Sequence, residues 1–227
     1  KRIFVPIQSI PPIIKEAFLS SEDKDFFNHL GLDFKAILRA SITNIKNFNS
    51  GRRAIGASTI TQQVAKNFLL SADYSIERKI KEAILALRIE RTFSKDHIFE
   101  LYLNEIYLGE GTYGVAAAAM TYFGKSLTDL SIEEAAYLAA LPKAPSNYHP
   151  IRQHAAAVGR RNWVIGRMAE DAWISQTEAA SSSASSLTIT GRPKQERVIA
   201  SWFSEEIRRE LKNLYGETSL YGGGMSV

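Results

Sequence analysis

The chain has 227 residues, of which 45% are hydrophobic and 23% charged, and it contains no cysteine. That supplies one full core and the start of a second unit, and the missing thiols exclude a disulfide scaffold and thiolate-held metals. The net charge of +4 favours anionic partners such as headgroups or pyrophosphates, though such an excess is also ordinary for a solvated surface.

No run of about 18 apolar residues is present to span a bilayer. The start at Lys1-Arg2-Ile3 has neither a signal-peptide core nor an initiator Met, as expected of a segment from a longer chain. In chain order, Pro11-Pro12 followed by Ile13, Ile14, Ala17, Phe18 and Leu19 predicts a helix over about 12–21 that delivers Glu22 at its end. Residues 34–48 form a basic amphipathic stretch, apolar at 34, 37, 38, 42, 45 and 48 with Lys35, Arg39 and Lys46 between, closed by the turn signal Asn49-Ser50-Gly51. After a loop over 51–57, Ser58 is placed to cap a helix running to Leu70, with a break at Ser71-Ala72-Asp73. A striped helix follows over 75–91, another begins at the cap Ser94, and Gly109, Gly111 and Gly114 mark a tight connection. An Ala-rich segment spans 115–123. Ser131 to Glu134 is a capping box heading a helix to Leu141, which Pro142 and Pro145 stop. Residues 152–172 read as a helix and Ser175 to Glu178 as a second capping box. The Ser/Ala tract 180–186 reads as surface loop or linker, 187–190 as a strand, and 202–215 as a charged helix before Gly222-Gly223-Gly224. Helical periodicity dominates, so the fold class is mainly α, with a short α/β start of a linker or second domain at the C-terminus.

Three polar clusters carry the chemistry. In Ser21 to His29, Glu22 and Asp23 are adjacent and point apart on any regular element, while Phe26 and His29 follow Glu22 at +4 and +7. In Gly56 to Asn67, Thr59, Gln63 and Lys66 recur at helical spacing beside an apolar flank of Ile60, Val64 and Phe68. Gly56 ahead of the helix start lets an anion approach free backbone N–H groups. In Arg78 to Glu82, a pair at i, i+4 joins a cation to a second carboxylate. Each cluster alone is also what an ordinary fold produces: a solvated acidic pair over a core Phe, a capped surface helix, an exposed ion pair worth a few tenths of a kcal/mol. Together they fit an anionic, phosphorylated sugar donor with Glu22 and Glu82 at the reacting bond.

Other chemistries fit less well. The four histidines show no metal-ligand spacing, Ser21 to Lys24 matches S-x-x-K with neither of its companion motifs, and no phosphate-cradling glycine loop or nucleic-acid platform occurs. A lysozyme-like hydrolase would use paired carboxylates but has no use for Lys66, Arg78 and Lys79, and a non-catalytic glycan- or lipid-binding module would keep the basic face without needing Glu22.

Taken together the clusters resemble glycosyltransferase family 51, the peptidoglycan glycosyltransferase domain of bifunctional, class A penicillin-binding proteins. Residues 22–33 match E-D-x-x-F-x-x-H-x-G-x-D, 56–63 match G-x-S-T-I-T-Q-Q, Arg78-Lys79 with Glu82 match R-K-x-x-E, and 98–104 match I-x-E-x-Y-L-N. Tyr122 to Lys125, Glu133 to Ala136 and Leu141-Pro142 add support. Ile55-Gly56-Ala57 departs from the family's usual Gln-Gly-Gly. The resemblance covers about 3–180 and implies a lysozyme-like fold, with a glycosyltransferase domain over 1–180 and a linker plus the start of a transpeptidase-side region over 181–227. It implies polymerisation of lipid II, at the outer face of the bacterial cytoplasmic membrane, with inversion and release of undecaprenyl pyrophosphate. Glu22 would be the general base and Glu82 would assist at the pyrophosphate. Asp23, Phe26, His29, Ser58, Thr59, Gln63, Lys66, Asn67, Arg78 and Lys79 would bind substrate, and the pyrophosphate leaves room for a divalent cation, Mg or Mn. The implied partners are lipid II, the growing glycan strand, the membrane interface through 34–48, the transpeptidase domain and other cell-wall synthesis proteins, with no nucleic acid.

Overall fold

A computed structural model describes residues 2–47, 57–69, 75–191 and 209–214. The chain divides into two compact units, Lys1–Pro193 and Lys194–Val227. In the second, 209–214 is helical. The start of the helix expected from 202, the loop 51–56 with Gly56, Phe48, the break at 71–73 and the glycines 222–224 all lie outside the described residues.

The described part of the first unit is helical, and no strand occurs in it. Its helices are α1 (Pro12–Glu22), α2 (Phe34–Lys46), α3 (Ile60–Leu69), α4 (Ile76–Thr92), α5 (Lys95–Glu105), α6 (Val115–Tyr122), α7 (Ile132–Ala140), α8 (His154–Glu170) and α9 (Gln176–Ala184). Local chemistry sets many of these starts. Pro12 opens α1, the Ser75, Ser94 and Ser175 hydroxyls cap α4, α5 and α9, a reciprocal capping box closes on Ser175–Glu178, and Glu134 accepts from the Ser131 amide at the start of α7.

The middle of the core is α7, whose residues from Ala135 to Ala140 are all buried, as is Leu141 just after it. Its alanines let α1 and α8 approach closely, and both pack directly on it. Phe18, Phe26, Phe99, Tyr102 and Tyr137 fill the remaining space with edge-on and stacked ring contacts. On the other side α3 packs against α4 and α5. The I-x-E-x-Y-L-N stretch has a structural use here: Asn104 exchanges hydrogen bonds with the backbone of Val5 at 2.8 and 2.9 Å, and Glu100 accepts from Ile7 N at 2.7 Å. Together they fasten the N-terminal segment to α5. Gly114, with φ +80°, sits against Asn104, and any Cβ there would collide with that residue's carbonyl oxygen.

Three expectations change. The Ser/Ala tract is helical to Ala184, because the capping box starts a helix whose Ala179 and Ser182 are buried as it packs on α8. Residues 187–190 form no strand, since among the described residues no second strand lies alongside. Instead Leu187 is buried and the Thr190 hydroxyl donates to the Phe123 carbonyl. The cap of α3 is Thr59 rather than Ser58, for reasons that belong to the site.

Candidate active site

Glu22 is the last residue of α1. The turn that carries it is pinned by Phe18 and Leu19 in the core and by the Ser21 hydroxyl, which donates to Ala139 O of α7 at 2.8 Å. Its half-buried side chain lines a cleft of about 320 Å³ between the end of α1, one side of α2, residues 57–59 and α8. Gln63 Nε2, one turn into α3, donates to Glu22 Oε2 at 2.8 Å. Burial pushes the Glu22 carboxyl above the usual glutamate range, and the Asp23 charge adds to that. The Gln63 bond, the Arg160 charge and the Ser21 hydroxyl pull the other way without cancelling it.

Asp23 faces inward, as adjacency to Glu22 requires. Its carboxylate meets His29 Nε2 at 3.0 Å and accepts from Ile60 N, the first amide of α3, at 2.9 Å. His29 Nδ1 accepts from Gly31 N at 3.2 Å, so the ring proton sits on Nε2 and points at Asp23. Thr59 completes this knot with a capping box of its own: Gln62 N donates to Thr59 Oγ1 and Thr59 N to Gln62 Oε1. The Thr59 hydroxyl also donates to Gly31 O at 2.6 Å, which fixes it, rather than Ser58, as the cap. Phe26 is fully buried between Phe27, Phe99 and His29, with the Lys95 ammonium 4.2 Å above its ring. Phe26 and His29 therefore build the floor under the cleft. Thr59 borders the cleft, but its hydroxyl is spent on the fold, so the hydroxyl–amide–ammonium face expected of 59, 63 and 66 begins at Gln63.

The third cluster meets the second through Ser58. Lys79 Nζ donates to Ser58 Oγ at 2.8 Å and pairs with Glu82, whose side chain is buried. Lys66 and Asn67 are exposed on the last turns of α3, and Arg78 is half-buried on the first turn of α4, where its amide donates to the capping Ser75 hydroxyl. The sequence pattern therefore assembles into two stations, Glu22 with Gln63 and Ser58 with Lys79 and Glu82, both on the α3 start.

Several cleft residues escape the sequence reading. Trp163 and Arg167 of α8 line the cleft, and Arg160 lies close enough for its charge to act on Glu22, as does Lys143. Their signal was a spacing of three and four on one face of α8, which without knowledge of what α8 packs against reads as an ordinary charged face. Tyr102, buried under both carboxylates, has its phenol pushed well up by burial and by the charges of Glu22 and Asp23.

The chain matches the transglycosylase family model over residues 1–169. It is 48% identical over 228 residues to penicillin-binding protein 1A of Rickettsia felis, covering 100% of this chain and 29% of that protein. It is 46% identical over 222 residues to that of Aquifex aeolicus (98% and 30%) and 43% identical over 223 residues to that of Escherichia coli K12 (98% and 26%). The crystal structure of penicillin-binding protein 1A from Haemophilus influenzae superposes with a TM-score of 0.50 at 27% identity, over 97% of this chain and 22% of that one. The chain thus spans about three tenths or less of the length of these relatives. With its mainly helical fold and a carboxylate cleft built from the family's motifs, the chain belongs to the transglycosylase family, the glycosyltransferase family 51 domain of class A penicillin-binding proteins.

Proposed function

We propose that this chain is a peptidoglycan glycosyltransferase that polymerises lipid II into β-1,4-linked glycan. The observation that carries the reading is Glu22: a half-buried carboxylate at the end of a helix, raised in pKa and facing a cleft, with one amide holding its orientation. A base poised above the ordinary carboxylate range accepts a hydroxyl proton better than a solvated one.

In the reaction Glu22 takes the proton of the acceptor 4-hydroxyl. The hydroxyl oxygen bonds to the donor's anomeric carbon from the face opposite the pyrophosphate, and the bond from that carbon to the pyrophosphate oxygen breaks with inversion. The departing group gathers negative charge and needs cations rather than a proton. Lys66, Arg78 and Lys79 supply them, with Asn67, Gln63 and Ser58 as hydrogen-bonding groups. Glu82 acts through Lys79, holding its ammonium in place. Among the described residues no three carboxylates or imidazoles gather to hold a metal ion. A divalent cation here would take its ligands mainly from phosphate oxygens.

The second support is α2. Ala36, Arg39, Ala40 and Thr43 face the cleft, while Phe34, Leu38, Ile42 and Ile45 lie on the opposite side of the same helix, 46–76% exposed. An apolar face next to Lys35 and Lys46 suits the interface of an anionic bilayer, where lipid-linked substrates are anchored. No helix among the described residues is long and apolar enough to cross a membrane. The domain works at the extracytoplasmic face of the cytoplasmic membrane. Residues 1–180 form the catalytic domain, and 181–227 lead toward the transpeptidase domain. Incubation with lipid II followed by gel separation of products tests the reading: glycan ladders are expected, and their absence from folded protein supplied with lipid would overturn it.

A further inference from the structure

Trp163 has no structural reason to be where it is. The core face of α8 is Ala157, Arg161, Val164, Ile165 and Met168, all buried, whereas Trp163 lies off that stripe and is 45% exposed. It lines the same cleft as Glu22 and is the one aromatic among the cleft-lining residues described. Its ring is held: the Arg160 guanidinium, one turn earlier, packs 3.8 Å from the ring centroid. The cations on this wall are already engaged, Arg160 on the ring and in the field of Glu22, Arg167 with Glu170 at 2.6 Å. What the α8 wall offers a ligand is therefore a flat aromatic surface.

We propose that Trp163 is a specificity-determining residue, a platform on which the C–H face of a pyranose ring stacks beside Glu22. The inference rests on the proposed function and names the part of the substrate this wall receives: neutral sugar, not pyrophosphate. A pyranose carries hydroxyls around its rim for the polar walls and an apolar face for the ring. A fixed aromatic supplies contact area at small entropic cost.

The test uses an uncharged β-1,4-linked N-acetylglucosamine tetramer. The chain holds three tryptophans, so a Trp173→Phe, Trp202→Phe background leaves Trp163 as the sole emitter. Saturable change in its emission is expected on titration with the tetramer. By calorimetry, Trp163→Ala should raise Kd about ten- to thirty-fold and Trp163→Phe less. With lipid II, Trp163→Ala should raise KM with kcat nearly kept. Unmoved Trp163 emission, in protein that polymerises lipid II, overturns the platform and leaves the function standing. Emission that answers the tetramer in protein without polymerase activity does the reverse, and failure of both overturns both.

Discussion

Glu22 and Asp23 are neighbours in sequence and opposites in structure. Asp23 is buried and answered from two sides, by His29 and by the first amide of α3, so its charge is built into the fold. Glu22 loses water without a comparable set of donors, and its carboxyl rises above the usual range. Burial with partners makes a carboxylate structural, and burial without enough of them makes it reactive. A third case is Glu82, buried but paired with a single cation that is shared with Ser58.

The contrast can be broken from both sides. The largest effect is expected at Glu22. Glu22→Gln should cut lipid II polymerisation by roughly 10²-fold or more while leaving the protein folded. It should also stabilise the domain in one pH window. A carboxyl whose pKa is raised by folding contributes stability below its unfolded value of about 4.3, and that contribution is lost as pH rises through the folded value. The variant's advantage in melting temperature should therefore be absent near pH 4 and present near pH 8. An advantage at acid pH instead would mean the sign of the shift is wrong.

Asp23→Ala should act in reverse, through the fold first. Removing the acceptor of His29 and Ile60 N costs about 2–3 kcal/mol, a fall of roughly 4–12 °C in melting temperature. An unchanged melting temperature would show that Asp23 does not hold α3. Thr59→Ala, which removes the cap and the bond to Gly31 O, is expected to cost about 1–2 kcal/mol, and Ser58→Ala, on an exposed pair, under about 0.5 kcal/mol. Equal costs in chemical denaturation would return the cap to an open question between the two.

The smallest stability effect belongs to α2, none of whose residues is buried. Ile37→Asp with Leu38→Asp should shift stability by no more than about 0.5 kcal/mol, yet reduce binding to anionic vesicles in a sedimentation assay. A large drop in melting temperature would make this face core.

Much of the scaffold was legible because it is locally written. Pro12, Ser75, Ser94, Ser131 and Ser175 set helix starts with groups a turn away, and periodicity does the rest. The placement of Glu22 at the end of α1 followed from the same signals. What the sequence hid was long-range. Ser58 and Thr59 are equivalent as caps until Gly31 and Asp23 come into view, 28 and 37 residues from their partners. Phe26 read as part of a functional face because Phe99 and Lys95, which enclose it, arrive from α5. Arg160 and Trp163 come near Glu22 because α1 and α8 pack on α7 and on each other, and no local pattern announces that.

That burial makes Glu22 a base can be checked by titrating that carboxyl and the rate together. Carbon-13 NMR of side-chain-labelled glutamate, assigned with Glu22→Gln, gives the carboxyl's midpoint, and kcat/KM for lipid II over the same pH range gives that of the acid limb. The two should coincide, above the ordinary glutamate value, with the rate rising as Glu22 ionises. A Glu22 that titrates at the ordinary value, or a rate indifferent to its ionisation, would contradict the account.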